Sequence, residues 1–484
     1  MSARIIPIVS AGTVANAGGS VNADDVTANQ SLFEAHRKIY PRAVTGRYAA
    51  WRVAMVALTQ LLFYGTPWLQ WGGHQAVLFD LSQRKFFVFG LILWPQDLIF
   101  LTGLLVICAL SLFLFTAIAG RLWCGYACPQ TVYTEIFMWV ERKIEGDRVA
   151  RLKLDAAPWG ARKLATKSAK HAAWLAIALW TGYTFVGYFT PIRALAGEVA
   201  MLSTSSWETF WILFYGFATW GNAGFMREQV CKYMCPYARF QSAMFDRNTL
   251  IVSYDSRRGE QRGSRPRKAD PRKLGLGDCV DCGLCVQVCP TGIDIRKGLQ
   301  YECISCAACI DVCDSVMAKM SYPKGLIRHS TQRALESGIA DAQLFRHLLR
   351  PRTLIYGTLL AALTVAWLTA IYQRAPLRFD VIRDRNTLVR LIEPDLAENV
   401  YRLQVMNATQ SLGRYRLTVA GLPGVNIADR ADIDVPAAQS QTMVVRVRTR
   451  RDAAAPGSHP IEFTMHDGSH QIDVHEKSSF FLPR

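Results

Sequence analysis

Twelve of the thirteen cysteines of this 484-residue chain fall into four short groups whose spacing could hold metal or store electrons. The strongest group is Cys279-x2-Cys282-x2-Cys285-x3-Cys289-Pro290, repeated 24 residues later as Cys303-x2-Cys306-x2-Cys309-x3-Cys313. Three close thiolates turn around one corner of a cubane iron–sulfur cluster, and a distant fourth closes the cage. Zinc knuckles are the alternative, but zinc sites rarely call for three cysteines within seven residues, twice over. The second run carries Asp314 where the first has Pro290, so its closing turn is less determined.

The other signal is an internal repeat. Cys124-Gly-Tyr126-Ala-Cys128-Pro129 and Cys231-Lys-Tyr233-Met-Cys235-Pro236 share the pattern C-x-Y-x-C-P at an offset of 107 residues. Cysteines four apart share one face of a helix, and the proline can open the next helix. Each repeat follows an apolar segment, so the pattern predicts two dithiols converging where two membrane spans end. Soft thiolates there suit Cu(I), which makes Cys124, Cys128, Cys231 and Cys235 candidate copper ligands and catalytic residues; a dithiol can equally store two electrons as a disulfide. A structural pair of buried cysteines at a helix end is the third reading. Cys108 has no partner in sequence and is expected to pack inside its apolar segment.

Composition indicates what must position these groups. With 51% hydrophobic and 19% charged residues, and with the apolar residues gathered in blocks, the chain reads as a membrane protein rather than a soluble enzyme. Segments 49–69, 98–119, 172–190, 207–225 and 353–372 each approach the ~20 residues a helix needs to cross a bilayer. The net charge of +17 flanks these blocks, so it carries topology information rather than nucleic-acid binding. Arg121, Arg142, Lys143, Arg148, Arg151, Lys153, Arg162, Lys163, Lys167 and Lys170 crowd the stretch 120–170, whereas the flanking loops carry only Arg84, Lys85 and Arg193. Lysine and arginine collect on the cytoplasmic side. The pattern predicts a bacterial inner-membrane protein with five spans, the N-terminus and 227–352 inside, and the last hundred or so residues in the periplasm. The cysteines then lie in a reducing compartment.

The expected order is a disordered cytoplasmic tail at 1–35, then a four-helix membrane domain at 36–252 holding both C-x3-C-P motifs. A cytoplasmic segment follows at 253–352, with an α+β cluster-binding domain at about 273–325, then a fifth span at 353–373. Residues 374–484 alternate with period two between turn signals and predict a β-sandwich. Its His459, His466, His470 and His475 are read as exposed rather than metal-binding. Asp97 could relay protons or bind a quinol, or simply face water; His74 and His171 lack a partner in register for haem. Residues 131–145 have an apolar stripe and are expected to lie along the inner membrane surface, over the first dithiol. No G-x-G-x-x-G follows a strand, so the reducing power must come from a partner or the quinone pool.

These residues resemble a known family, the membrane iron–sulfur accessory proteins of cbb3-type cytochrome oxidase called CcoG, FixG or RdxA. The resemblance runs from Lys38-Ile39-Tyr40-Pro41-Arg42 through Arg84-Lys85-Phe86-Phe87-Val88-Phe89-Gly90 and both C-x-Y-x-C-P motifs to Cys309-Ile-Asp-Val-Cys313-Asp314 and Gly325-Leu326-Ile327-Arg328. Asp314 is ordinary for that family, and an immunoglobulin-like C-terminal domain fits it. Similarity to two-cluster bacterial ferredoxins further implies one 4Fe-4S centre on Cys279, Cys282, Cys285 and Cys313, and another on Cys303, Cys306, Cys309 and Cys289. The resemblance implies a cupric reductase that supplies Cu(I) during oxidase assembly, working with assembly factors or a copper chaperone or transporter. Two other readings stand beside it: a quinol dehydrogenase-like polyferredoxin, whose relatives share the C-x3-C-P pairs, and a non-enzymatic assembly scaffold.

Overall fold

The computed structural model describes residues 38–267, 269–337, 350–384, 389–393, 395–468 and 472–483. The tail expected at 1–35 and His470 lie outside the described residues. The chain divides into two compact units, one of Met1–Thr66, Gly103–Gly187 and Ile192–Thr364, the other of Pro67–Thr102, Tyr188–Pro191 and Val365–Arg484.

All five apolar segments are helical: Arg47–Gly65, Leu98–Ala119, Ala161–Val186, Ser206–Gly221 and Pro351–Tyr372. Two helices, Pro95–Ala119 and Pro351–Tyr372, are long and apolar enough on their own to cross a membrane. Both turn large apolar side chains outward, among them Ile99, Leu105, Ile355 and Val365, a pattern that suits lipid rather than water. The third helix starts earlier than its apolar stretch because its polar first turns are held by charge. Lys167 pairs with Glu145 and Asp155, and Lys170 pairs with Glu145. The fourth begins at a capping box in which Ser205 accepts from the Glu208 amide while Glu208 accepts from the Ser205 amide.

In the first unit the helix Pro129–Ile144 is amphipathic as expected, but its apolar face buries against protein. Phe137 stacks on Trp174 with ring centres 5.0 Å apart, and Val140 and Ala178 pack beside them. Downstream, strands Ile251–Tyr254 and Ile327–Ser330 pair antiparallel and bracket the segment that carries the eight closely spaced cysteines.

The second unit contains the C-terminal sandwich. Among the described residues one antiparallel sheet runs Asn426–Ile427, Ser440–Arg450, Leu396–Asn407, Leu377–Arg383, and the other runs Asp432–Val435, Gly413–Ala420, Gly457–Asp467, Ile472–Leu482. Alternation does the work: Tyr415 and Leu417 point inward while Arg414 and Arg416 point out, and Phe379, Tyr401, Val445, Phe463 and Phe480 complete the core. The stretch expected as a plain loop between the first two spans is instead a three-stranded sheet, Val77–Asp80, Lys85–Val88 and Leu91–Leu93. Its apolar residues Leu78, Phe87 and Ile92 gain a core by packing with Trp94 and Met406.

Candidate functional site

Residues 279–313 wind as two copies of one loop. Each copy holds two residues in the left-handed region, Asp281 (φ 50°) and Gly283 (φ 64°) in the first, Ser305 (φ 55°) and Ala307 (φ 59°) in the second. Away from glycine that conformation costs about 1–2 kcal/mol per residue. It persists where turning successive amides toward one point makes an anion-binding nest, the backbone device of many iron–sulfur sites. Helices Leu284–Gln287 and Ala308–Met320 follow, each carrying the third cysteine of its run.

The eight thiols lie within electrostatic range of one another: Cys313 is raised by Cys285, Cys279 and Cys282, and Cys289 raises Cys303, Cys306 and Cys309, the last of which also senses Cys285. Burial, reinforced by neighbouring thiols, pushes Cys303 and Cys313 up to about 12 and Cys285 and Cys306 up to about 11. They are therefore thiols at neutral pH until a metal displaces their protons. Among the described residues no three His, Cys, Asp or Glu side chains stand close enough to chelate a single ion. A four-iron cubane is larger than one ion and spreads its thiolates more widely. The thiol-only donor sets, the paired nests and the apolar seat of Val252, Ile295, Met317 and Leu326 fit that group. Asp314, in the place of the first run's proline, closes its turn by accepting from the Gly325 amide at 2.8 Å.

The two C-x-Y-x-C-P repeats also meet. Cys124 lies in the helix Leu122–Tyr126 and Cys128 precedes Pro129, which opens the helix Pro129–Ile144. Cys231 lies in the π-helical turn Val230–Met234, and Cys235 precedes Pro236, which opens Pro236–Met244. Cys124 lies within electrostatic range of Cys128, Cys231 and Cys235, and Cys128 within range of Cys235. The Cys124 thiol donates to Gln241 Oε1 at 3.3 Å, and the Gln241 amide donates to Thr116 at 3.3 Å. Gln130 donates to the carbonyls of Asn222 (3.0 Å) and Arg227 (3.1 Å), which ties the first repeat to the turn before the second. Burial pushes the Cys124 thiol up to about 12 and Cys231 up to about 11, and raises Cys128 as well.

The two cysteine centres touch each other. A Cβ on Gly125 would sit 2.6 Å from the Ile304 carbonyl oxygen and 3.0 Å from the amide nitrogen of Cys306, so backbone rests on backbone there. Arg52 donates to the Cys306 carbonyl at 2.6 Å. Arg121 donates to the carbonyls of Tyr301 and Ala238. Asp311, between Cys309 and Cys313, caps the first helix by accepting from the amides of Tyr48 (3.1 Å) and Ala49 (2.7 Å). A small open cleft of about 60 Å³ has Cys231 and Cys306 in its walls, beside Met138, Glu135 and Glu228.

Gly125, Arg52, Arg121, Gln241 and Asp311 were not legible as site residues in the sequence. The one available signal was Arg52, a charge set inside an apolar block, where ionisable residues tend to be functional. Two other expectations, those for Cys108 and Asp97, are revised. Cys108 is exposed on its helix rather than packed. Asp97 is buried, pairs with Arg374 at 2.5 Å and Arg378 at 2.9 Å, and accepts from the Trp94 amide at 3.0 Å, so it is a structural anchor. His466 pairs with Asp473, His475 with Thr464 at 3.0 Å, and His459 with the Ala455 carbonyl at 2.6 Å; they do not converge. His74 packs on Phe87, and His171 on Phe225 and Trp174.

Comparison with known proteins agrees with this layout. A family pattern for a 4Fe-4S dicluster domain matches residues 226–332, one for a 4Fe-4S binding domain matches 101–146, and that of the immunoglobulin-like fold at the C-terminus of FixG matches 367–483. The chain is 39% identical over 459 residues to the protein RdxA of Cereibacter sphaeroides, with 92% of this chain and 95% of RdxA covered. It is 37% identical over 445 residues to the nitrogen fixation protein FixG of Rhizobium meliloti, with 84% of each covered. A crystal structure of a FixG-related protein from Vibrio parahaemolyticus is 30% identical and covers 22% of this chain and 97% of that one, with a TM-score of 0.21.

Proposed function

Since the chain belongs to the FixG and RdxA family, we propose that it is a membrane-bound iron–sulfur electron-transfer protein that reduces Cu(II) to Cu(I) for copper delivery during assembly of a cbb3-type oxidase. In this reading Cys279, Cys282, Cys285 and Cys313 hold one 4Fe-4S cluster, and Cys303, Cys306, Cys309 and Cys289 hold the other. Copper is the substrate, assigned to Cys124, Cys128, Cys231 and Cys235, which would have to draw together on it because no three of them stand at chelating distance in the metal-free chain. Once bound, such clusters would supply electrons one at a time. Thiolates prefer Cu(I), so the four-cysteine site favours the reduced product once one electron has arrived.

The observation that carries the proposal is the contact of Gly125, one residue after Cys124, with the backbone of Cys306. A donor and an acceptor built separately have no reason to share such a seam. Cys231 and Cys306 both line the small cleft through which copper would enter. Five spans are read from the five apolar segments, and the distribution of Lys and Arg supports placing the cysteines in the cytoplasm and the immunoglobulin-like domain in the periplasm. The domain limits read from the sequence, 36–252, 253–352, 353–373 and 374–484, belong to the same proposal, as do the oxidase assembly factors or copper carrier that would receive Cu(I).

The test is anaerobic rapid mixing of the cluster-reduced protein with Cu(II) or with an oxidised quinone, trapping Cu(I) with a colorimetric chelator. Cluster reoxidation by copper with matching Cu(I) is the expected result. Reoxidation by quinone alone assigns the protein to quinol-linked electron transfer and removes copper from its function.

A further inference from the structure

A larger open cleft, about 610 Å³ in volume, is lined by Lys232 from the second C-x-Y-x-C-P repeat and by Thr291, Gly292 and Ile293 from the loop after the first cysteine run. The wall on the loop side is thin. Thr291 and Ile293, both buried, also line a small cavity whose walls include Cys289, Cys303, Cys306 and Cys309. Thr291 Oγ1 and Cys289 Sγ are hydrogen-bonded at 3.3 Å, and Gly292, exposed between Thr291 and Ile293, has no side chain to thicken the wall. One layer of residues therefore separates the cleft from the sulfurs assigned to the second centre.

The lining carries four cations, Lys38, Arg148, Lys232 and Lys297, against two carboxylates, Glu228 and Asp294. Both carboxylates are engaged. Asp294 pairs with Arg296 at 2.8 Å, as the neighbouring Asp281 does at 2.5 Å, while Glu228 is buried and accepts from the Gln229 amide at 3.2 Å. Among the cations, Lys38 is paired with Asp155 at 2.6 Å and Arg148 donates to the Tyr40 carbonyl. Lys232, half-buried, and Lys297, exposed, pair with no carboxylate among the described residues. Leu152, 41% exposed, adds an apolar edge to this positive lining.

We infer that this cleft is where a small acidic one-electron carrier protein docks to reduce the centre of Cys289, Cys303, Cys306 and Cys309. Lysines without counter-charges attract an acidic partner and steer its approach. Electron-transfer encounters are small and transient, so they need no wide apolar face. In the step itself the carrier loses one electron and the centre gains it; no bond is made or broken and no proton moves. The chain has no nicotinamide or flavin fingerprint of its own, so an outside donor is required. The inference rests on the proposed cluster assignment but not on copper.

The probe is plant-type [2Fe–2S] ferredoxin, an acidic one-electron carrier, added to the purified full-length protein at low salt without oxygen or copper. Calorimetric binding of oxidised ferredoxin, which involves no electron transfer, is expected to weaken as salt is raised. It is expected to weaken about tenfold in the double variant Lys232→Glu with Lys297→Glu. Lys297→Glu alone, at an exposed position, is expected to weaken it about threefold and serves if the double variant folds poorly. Stopped-flow reduction of the clusters by dilute reduced ferredoxin is expected to slow by the same factors, while reduction by the methyl viologen radical, a small cation, is not slowed. Undetectable binding to wild type, or binding unchanged in both variants, overturns the inference. Displacement of ferredoxin by phosphate at constant ionic strength also overturns it and makes the cleft a small-anion site. Missing iron would instead fail the cluster assignment, and missing Cu(I) the copper proposal, and both are read in wild type.

Discussion

Gly125 and Lys232 occupy the same place in the two C-x-Y-x-C-P repeats, and their surroundings are opposite. Gly125 is buried and has no room for a Cβ, because the Ile304–Cys306 backbone lies against it. Lys232 is half-buried and lines an open cleft with Tyr40, Arg148 and Gln300. The first repeat sits in an ordinary helical turn, the second in a π-helical one, a widened geometry that recurs at functional sites. One six-residue pattern thus serves two roles. The first repeat docks on the ferredoxin loop, and the second lines the clefts beside it.

This division of labour can be broken in three ways. The largest effect is expected from removing either thiol pair. If the four cysteines act as one site, Cys124→Ser with Cys128→Ser, or Cys231→Ser with Cys235→Ser, each abolishes Cu(I) formation as fully as the quadruple variant, because residues acting as a unit are not additive. Half activity from either pair would mean two independent sites. Cu(I) trapping in single turnover, with iron content as the control for intact clusters, decides between them.

Next is the seam itself. Gly125→Val must push the Cys306 backbone away, and a displacement near 1 Å can cost about a hundredfold in rate; Lys232→Val, at the matching position, is expected to stay within about twofold of wild type. Equal losses in the two variants would show that Gly125 has no special contact to protect. Stopped-flow reoxidation of the reduced clusters by Cu(II) measures both.

The effect of pH is read on affinity rather than on rate. Burial raises Cys124 to about 12 and Cys231 to about 11, with neighbouring thiols adding to the shift. Both keep their protons at neutral pH, and each thiolate that binds metal must release one. Affinity for Cu(I) should therefore rise with pH, about tenfold per unit for each proton displaced, and fall toward pH 6. Chelator competition at pH 6.5 and 7.5 checks the sign. A flat response would mean that the thiolates are already formed, as Arg121 could arrange if its field outweighed burial.

Some of this was open to reading from the residues alone. Eight cysteines at ferredoxin spacing have few other uses, and the two C-x-Y-x-C-P copies announced a second thiol site because both the spacing and the helix-opening proline repeat. The sandwich was legible because period-two alternation is a property of the strand itself. Less was legible where the decisive partner lies far along the chain. Asp97 looked like a water-facing carboxylate until Arg374 and Arg378 came to lie beside it. The stretch 77–93 looked like a loop because its strands are short and their core includes the distant Met406. Arg121 was indistinguishable from the other basic residues that mark the cytoplasmic end of a span.

The sequence by itself determined the chemistry available to this protein: thiol donors, their grouping in runs and pairs, and the apolar segments that carry them. Spacing over a few residues restricts which atoms can meet, and that restriction needs no long-range information. Tertiary structure alone decided that the two cysteine segments abut, that a glycine rather than a lysine must stand at the seam, and that the buried Arg121 ties the carbonyls of Tyr301 and Ala238 together. Those facts depend on contacts between residues 180 or so apart, such as Arg121 with Tyr301, and only the packing of helices against the ferredoxin loop brings such residues together.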